Sequence, residues 1–427
     1  MKRNSPDLSN PTRRNFWLNV ADGALFSTAM AMVPVSILLP AYVRKFSDNE
    51  YLVNLVTALF LFGVTAPQIF VARFLDSLPR KKPLMMFTGV IQRLPWLVLA
   101  LAAWFIPPER ATLHLVLLFT MLGVFAFSCG ANIPVWLVLL GKLIPERQRG
   151  RLMAWRQMIA MGLAVGGAAV ARYILKEWAF PHNYALLFLS FFLITVCSYL
   201  TQLFIREDHD DPVHAPPGLR EHLGRLFHLL NHDRNYARYV VASILLTMGG
   251  LYGGLITSYG IDRYGLANRD YVFAYITMLS APVGMAALYL FGHLGDRHGH
   301  KLNHVWSAFF VLLAMAALRF GHSLPLYVAA YVLIQIAVNT EIVSRTAILL
   351  EFGGPERAAS YVSVKNTITA PFSLAAPLLG AFLARRFGYD AVFLVTFVVF
   401  SSAVFYISFH VHEPRKARHG KQEKVMS

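Results

Sequence analysis

For its length the sequence has few charged residues and almost no cysteine, and its acidic residues are fewer than its basic ones. Of its 427 residues, 15% are charged and 56% are hydrophobic, whereas about 25% charged is usual in soluble domains. Its 23 acidic residues stand against 39 Lys and Arg, for a net charge of +16. So low a charge content excludes an ordinary soluble fold, and the chain is expected to lie in a bilayer.

Other absences narrow the class further. The only cysteines, Cys129 and Cys197, both fall in apolar runs, which predicts small packing residues rather than a disulfide. No phosphate-binding loop of the form Gly-x-x-x-x-Gly-Lys-Ser/Thr occurs, so ATP is not expected to drive this protein. The first apolar run is too long for the core of a cleavable signal peptide. Basic residues occur in short clusters between apolar stretches, which indicates membrane topology rather than nucleic-acid binding.

Twelve apolar runs of about 20 residues, the length that crosses a bilayer as a helix, predict an all-α membrane protein with twelve transmembrane helices. The predicted spans are 17–43, 51–72, 84–106, 113–140, 152–175, 184–205, 239–261, 271–291, 305–320, 325–350, 361–383 and 391–411.

The distribution of basic residues predicts the orientation. Lys and Arg concentrate in the N-terminal tail and in every second loop after it, so the positive-inside rule places both termini in the cytoplasm. An N-terminal tail, a six-helix bundle, a central loop with an interfacial helix, a second six-helix bundle and a C-terminal tail are predicted at 1–16, 17–205, 206–238, 239–411 and 412–427.

The two predicted bundles repeat each other. The loop "ARFLDSLPRK", residues 72–81, follows the second span, and "GHLGDRHGHK", residues 292–301, follows the eighth. Aligning Asp76 with Asp296 also aligns the lysine that ends each loop. Pro-Glu-Arg follows the fourth span of each half. The chain is therefore interpreted as a duplicated six-helix unit.

These loops resemble the signature loop of the major facilitator superfamily, roughly Gly-x-x-x-Asp-Arg-x-Gly-Arg-Lys. The second copy matches it at Gly292, Asp296, Arg297, Gly299 and Lys301; the degenerate first copy keeps Asp76, Arg80 and Lys81. The resemblance covers the whole chain through span count, duplicated halves and central loop. It implies two six-helix halves related by pseudo-two-fold symmetry.

The resemblance also implies a role for the loops. They would form a latch that holds the outward-facing state and breaks when the halves rock. Partners are expected in the Pro-Glu-Arg loops at the same membrane face: Glu146, Arg147, Glu351 and Arg357. The alternative is that the loop residues only fix turn shape and topology. His293, His298, His300 and His304 are interpreted as substitutes for other basic residues, although three or four histidines could bind a metal; no metal or cofactor is predicted.

Charged residues inside spans are the candidates for a proton and substrate site, because an unpaired charge there costs several kcal/mol. The candidates are Asp22, Arg93, Arg156, Glu341 and Arg345. Asp22 and Arg156 lie at similar depth and are predicted to pair, and Glu341 and Arg345 lie one helical turn apart. The resemblance implies that Asp22 and Glu341 face a shared cavity. The alternative is two static pairs that fix helix packing.

Three further cations near span ends, Arg172, Arg319 and Lys365, are expected to reach the membrane surface with their long side chains.

The sequence thus predicts a permease rather than an enzyme, a secondary active transporter that works by alternating access. Proton-coupled export of amphipathic compounds is the first expectation; uptake of a small anionic metabolite, and a non-transporting sensor with the same fold, are the alternatives. The expected partners are a small-molecule substrate, protons and the lipid bilayer, with no nucleic acid and a monomeric state. The expected location is the bacterial inner membrane.

Overall fold

The computed structural model describes residues 11–75, 77–207, 210, 218, 224, 228–321 and 323–414. In the first half the helices are α1 (Pro11–Met32), α2 (Leu38–Arg44), α3 (Glu50–Thr65), α4 (Pro67–Leu75), α5 (Lys82–Phe105), α6 (Ala111–Leu143), α7 (Glu146–Glu177) and α8 (His182–Leu203). In the second half they are α9 (Arg234–Met248), a 3₁₀ turn (Gly249–Tyr252), α10 (Leu255–Tyr264), α11 (Tyr271–His298), α12 (Lys301–Phe320), α13 (Leu324–Phe387) and α14 (Tyr389–His410). No strand occurs among the described residues, which confirms the all-α prediction.

Eleven helical stretches within the described residues are long and apolar enough to cross a membrane. The twelfth predicted span, 17–43, is divided between α1 and α2. Pro34 lies in the break, where a proline cannot donate its backbone nitrogen to the helical ladder. Its counterpart, the seventh span, is interrupted by the 3₁₀ turn. The layout is therefore twelve membrane-crossing segments with a broken first segment in each half.

Two predicted boundaries differ from the structure or lie outside it. The helix α13 holds two spans, 324–349 and 364–387, and its backbone stays helical through 351–360, where the sequence analysis placed a loop. The sequence of that stretch contains Gly-Gly-Pro, which lowers helix propensity, and this local signal is why a loop was predicted there. Most of the predicted interfacial helix in 206–238 lies outside the described residues.

The chain packs as two compact units. The first unit comprises residues 1–47, 66–217 and 269–278, and the second comprises 48–65, 218–268 and 279–427. Each unit thus consists mainly of one predicted bundle and takes one short segment from the other.

Specific contacts hold these exchanged segments. In the second unit Asn54 of α3 donates to Leu251 O at 3.2 Å and accepts from the Gly254 backbone at 2.8 Å. In the first unit Asp270, at the start of α11, lies 2.8 Å from Lys45 Nζ and is 4% exposed. No local sequence pattern indicates these contacts, because each joins residues more than 190 positions apart.

An asparagine near the start of the first helix makes the same pair of hydrogen bonds in both units. Asn15 in α1 donates to Arg206 O at 2.9 Å and accepts from Arg206 N at 3.1 Å. Asn235 in α9 makes the same pair of bonds to His412, both at 2.8 Å. Each amide therefore ties the first helix of its unit to the end of the sixth. This repetition supports the predicted duplication.

We expect Asn15→Ala to destabilise the protein more than Asn235→Ala. Asn15 is 3% exposed and its two bonds to the Arg206 backbone are partly buried, so water replaces the lost amide less readily, at a cost of about 1–3 kcal/mol. Water can replace the amide of Asn235, whose bonds are solvent-exposed. Thermal unfolding in detergent measures the difference, with exposed Asn268→Ala as control. Equal losses for Asn15→Ala and Asn235→Ala would contradict this account.

Candidate functional site

Asp22, in the middle of α1, has a complete set of partners within the first unit. Its Oδ1 accepts from Ser198 Oγ at 2.6 Å and from Gln202 Nε2 at 2.7 Å. Its Oδ2 lies 3.6 Å from Arg156 Nη1. Both donors from α8 stand on one helical face, four residues apart. The predicted pairing of Asp22 with Arg156 is present, and two neutral donors reinforce it.

Arg156 reaches Asp22 across a glycine. A Cβ atom at Gly23 would overlap the guanidinium of Arg156, so only a residue without a side chain leaves room for it. On its other side the guanidinium lies 4.5 Å from the ring of Trp136, an additional favourable contact for a cation. Gly23 therefore sets the position of Arg156.

Arg93 joins the same network from α5. It donates from Nε to Thr195 O at 2.6 Å, from Nη1 to Gly89 O at 2.7 Å and from Nη2 to Ser198 Oγ at 3.3 Å. Because Ser198 also donates to Asp22, the serine connects the second arginine to the carboxylate. Asp22, Arg93 and Arg156 thus form one buried network, with Asp22 4% and Arg93 4% exposed.

The second unit holds a more accessible pair. Arg345 Nη2 donates to Glu341 Oε1 at 3.0 Å, one turn apart on α13. The side chain of Arg345 is 52% exposed and that of Glu341 is 31% exposed. An ion pair with this much exposure has low intrinsic strength and can exchange partners. Glu341 and Asp22 belong to different units.

Two further residues of the second unit belong to this cluster, and the sequence analysis did not assign them to it. Lys365 is 7% exposed, so it does not reach the membrane surface as expected, and it interacts electrostatically with Glu341 and Arg345. His304 is 2% exposed; Nε2 lies 3.3 Å from the Tyr239 hydroxyl, while Nδ1 has no hydrogen-bond partner among the described residues. Only the tertiary fold brings these residues to Glu341.

The other two cations near span ends lie on the surface of their units. Arg172 packs over the ring of Tyr275 at 5.4 Å, and Arg319 lies 3.6 Å from Asp390, both side chains exposed.

The first signature loop (residues 72–81) contacts the start of the central loop. Arg80 Nε donates to Asp210 Oδ1 at 2.5 Å. Lys81 is 3% exposed and donates from its backbone to Glu207 at 3.0 Å and from its ammonium to Leu78 O. These acids follow α8, whereas the sequence analysis expected Glu146 and Arg147 as partners. Asp76 and the side chains of Glu146 and Arg147 lie outside the described residues.

The second signature loop (residues 292–301) begins inside α11. Gly292 faces α13, with room for ordinary contact to Val343, while Asp296 and Arg297 are exposed in the last turn. Asp296 Oδ1 lies 3.8 Å from Nε2 of His300, the residue that directly precedes α12. Gly299 has φ +92°, a conformation that favours glycine and makes the turn.

The remaining loop residues lie near the C-terminal end of the described chain. Lys301 Nζ donates to Ser408 O at 3.0 Å, and the backbone N–H of Lys301 donates to Glu413, which also contacts Glu351. The side chain of Arg357 lies outside the described residues. Within the described part of the chain, no group of three His, Cys, Asp or Glu residues is arranged to hold a metal.

Comparison with known proteins gives a consistent result for the whole chain. The family model described as Major Facilitator Superfamily matches residues 23–303 and 275–426. No curated protein sequence matches.

Among similar solved structures, a D-xylose-proton symporter has a TM-score of 0.72 at 14% identity, covering 94% of this chain and 98% of its own. The nucleoside transporter NupG has 0.68 at 12%, covering 94% and 100%. The human organic anion transporter MFSD10 has 0.64 at 16%, covering 93% and 100%. At such low identity these similarities establish the fold alone.

We expect Gly23→Ala to separate Arg156 from Asp22. The added methyl group occupies the position of the guanidinium, and moving the cation leaves a buried carboxylate with less compensation. A lower thermal midpoint in detergent is the expected result. Gly166→Ala on α7 is the matched control, because a Cβ there meets no atom within 4 Å. An unchanged midpoint in Gly23→Ala would show that Arg156 can shift without cost.

Proposed function

Because the chain belongs to the Major Facilitator Superfamily, whose members move small solutes across membranes, we propose that it is a proton-coupled secondary active transporter. Glu341, Arg345 and Lys365 form the solute and proton site, with His304 beside them. The main support for this proposal is the accessibility of the ion pair on α13: the side chain of Arg345 is 52% exposed and that of Glu341 is 31% exposed. Charges this accessible within a span are tolerated where water or a solute meets them.

The charges of this cluster favour a small anionic solute. Two cations, Arg345 and Lys365, accompany one carboxylate, Glu341. Arg345 presents a planar set of donors that suits a carboxylate or phosphate. Export of cationic amphipathic compounds would need a carboxylate free to meet them. Asp22 is poorly suited to that task, since Ser198, Gln202 and Arg156 occupy it, and we therefore rank anion transport above drug export.

The same cluster supplies a route for coupling to protons. When the guanidinium of Arg345 turns to an anionic solute, Glu341 loses its nearest cation. Protonation of Glu341 then removes a charge that would otherwise remain uncompensated in the membrane. Release of the solute returns Arg345 to Glu341 and expels the proton. The resulting stoichiometry couples entry of an anion to entry of a proton.

The network around Asp22 has a different role in this proposal. Its carboxylate is buried and meets three donors, so exchange of partners would require breaking several contacts at once. We assign to it the packing of α1 against α7 and α8. The positive-inside distribution of Lys and Arg supports cytoplasmic termini, and we place the protein in a bacterial inner membrane as a monomer.

We expect Glu341→Gln to abolish accumulation driven by a pH gradient while sparing exchange between equal solute pools. Exchange needs no net change in protonation, whereas accumulation needs the proton to be carried and released. Both activities can be measured with purified protein in liposomes, using a solute identified by thermal-shift screening. Normal gradient-driven accumulation in Glu341→Gln would remove Glu341 from the coupling step.

Neutralising Asp22 is expected to act on stability instead. Asp22→Asn leaves Arg156 buried without its counter-ion, a loss of roughly 3–5 kcal/mol. Removing both charges, with Asp22→Asn and Arg156→Gln, should restore the thermal midpoint and gradient-driven transport together. If the double variant regains stability but not gradient-driven transport, Asp22 carries the proton and its assignment to packing is wrong.

A thermal-shift screen of the purified protein against small carboxylates, phosphates, sugars, nucleosides and amphipathic cations tests the solute class. A ligand that binds the folded state raises its thermal midpoint, and we expect the anions to do so. Arg345→Gln and Lys365→Gln should each lose that shift, while Lys176→Gln, an exposed cation on α7, should keep it. Stabilisation by cations alone would favour the export alternative.

A further inference from the structure

Each unit places a glutamate just after its sixth helix, and in the first unit this residue is fully paired. Glu207 accepts from the backbone N–H groups of Lys81 at 3.0 Å and Lys82 at 2.8 Å. A carboxylate at this position accepts hydrogen bonds from the first amides of α5, and the positive end of the helix dipole stabilises its negative charge. Lys142, at the end of α6, adds an ammonium 3.0 Å from Glu207 Oε1. The carboxylate thus has backbone donors and a cation.

Glu413 occupies the corresponding position in the second unit. It follows α14 and accepts from the backbone N–H of Lys301, the residue that aligns with Lys81. Its carboxyl group lies directly over Gly299, where a Cβ would overlap it. The side chain therefore holds the end of α14 against the turn of the second signature loop, as Glu207 holds the end of α8 against the first.

The third partner differs between the units. Where the end of α6 supplies the ammonium of Lys142, α13 supplies the carboxyl group of Glu351, which faces Glu413 within hydrogen-bonding reach. Two carboxyl groups can share a hydrogen bond only if one is protonated. No donor among the described residues reaches Glu351 Oε2 or Glu413 Oε1. The duplicated site has an ion pair in one unit and an acid pair in the other.

The charged groups around this acid pair do not replace the missing cation. The ammonium of Lys301 donates to Ser408 O, and Arg238 of α9 donates to His410 O at 3.3 Å. Asp296 of α11 lies toward His300. Burial and the neighbouring Glu351 raise the pKa of Glu413 to about 7, against a smaller opposite effect of Lys301.

We propose that Glu351 and Glu413 form a proton-binding site that docks the end of α14 on the second signature loop only while a proton is shared. Loss of that proton places two carboxylates side by side, and their repulsion loosens the contact. The first unit has no such dependence, because Lys142 compensates Glu207 without a proton. The site is separate from the transport cluster, so the inference stands independently of the proposed solute and coupling.

The direction of the pH effect follows from the raised pKa. A carboxyl group that holds its proton more tightly in the docked state stabilises that state below its ordinary pKa. That stabilisation is lost as the pH rises toward about 7. For one linked proton the equilibrium constant for undocking rises by up to about tenfold per pH unit in this window.

Hydrogen exchange of the whole protein in detergent, followed by peptide mass spectrometry from about pH 5.5 to about pH 8.5, measures this directly. After correction for the intrinsic exchange rate, peptides that cover the start of α12 should lose protection with rising pH up to about 7 and then level off. Peptides that cover the start of α5 should keep constant protection and serve as the control in the same sample. No solute is needed for this measurement.

Exchanging the third partner between the units provides matched variants. Glu351→Lys should make protection at α12 independent of pH, and Glu351→Gln should do the same if the lysine is poorly accommodated. The reciprocal Lys142→Glu should confer pH dependence on α5, since it creates an acid pair with Glu207. The same pH dependence at α12 in the unaltered protein and both Glu351 variants would overturn the proposal, as would equal pH dependence at α5 and α12 in the unaltered protein.

Discussion

A polar group in the hydrocarbon core has no water to bind, and this constraint determines where the charged residues of the spans lie. The first unit meets it with a closed set of partners. Asp22 receives two neutral donors and one guanidinium, and Arg93 is held by backbone carbonyls and Ser198. Such a network is favourable only when every member is present. This is why we assign to it the packing of the helices that carry it.

The second unit meets the same constraint less completely. The pair of Glu341 and Arg345 is held within one helix, is partly exposed and has a buried lysine and histidine beside it. Groups with fewer fixed partners can exchange them at low cost, which suits the binding and release of solute and proton that we propose. Under that proposal the first unit provides a rigid frame, and the second provides charges that can change state.

Duplication accounts for the similarities between the units, and later divergence accounts for the differences. Asn15 and Asn235 make the same hydrogen bonds to the end of the sixth helix of their unit, so both units retain this contact between the first and sixth helices. At the neighbouring position the glutamate is also kept, but its side-chain partner has changed from an ammonium to a carboxyl group. A single change of partner converts a permanent contact into one that depends on pH, because only the acid pair needs a proton.

The sequence by itself determined the class of fold. Runs of about 20 apolar residues specify membrane helices, since length and hydropathy are local properties, and the repeated loops specify two related halves. The spacing of Glu341 and Arg345 likewise predicted that they form a pair, because residues four positions apart share a helical face. Asp22 and Arg156 were matched by depth, which α-helical geometry supplies.

Only the tertiary structure decided which donors complete each site. Ser198 and Gln202 reach Asp22 from more than 170 residues away, and Lys365 reaches Glu341 from another span. The partners of the signature loops also came from outside the expected loops, since Glu207 and Glu413 follow the last helix of each unit. Hydrophobic periodicity sets which face of a helix is buried, but the crossing of helices sets which polar side chains meet there. That crossing depends on close packing of many side chains at once, and no local pattern in the sequence records it.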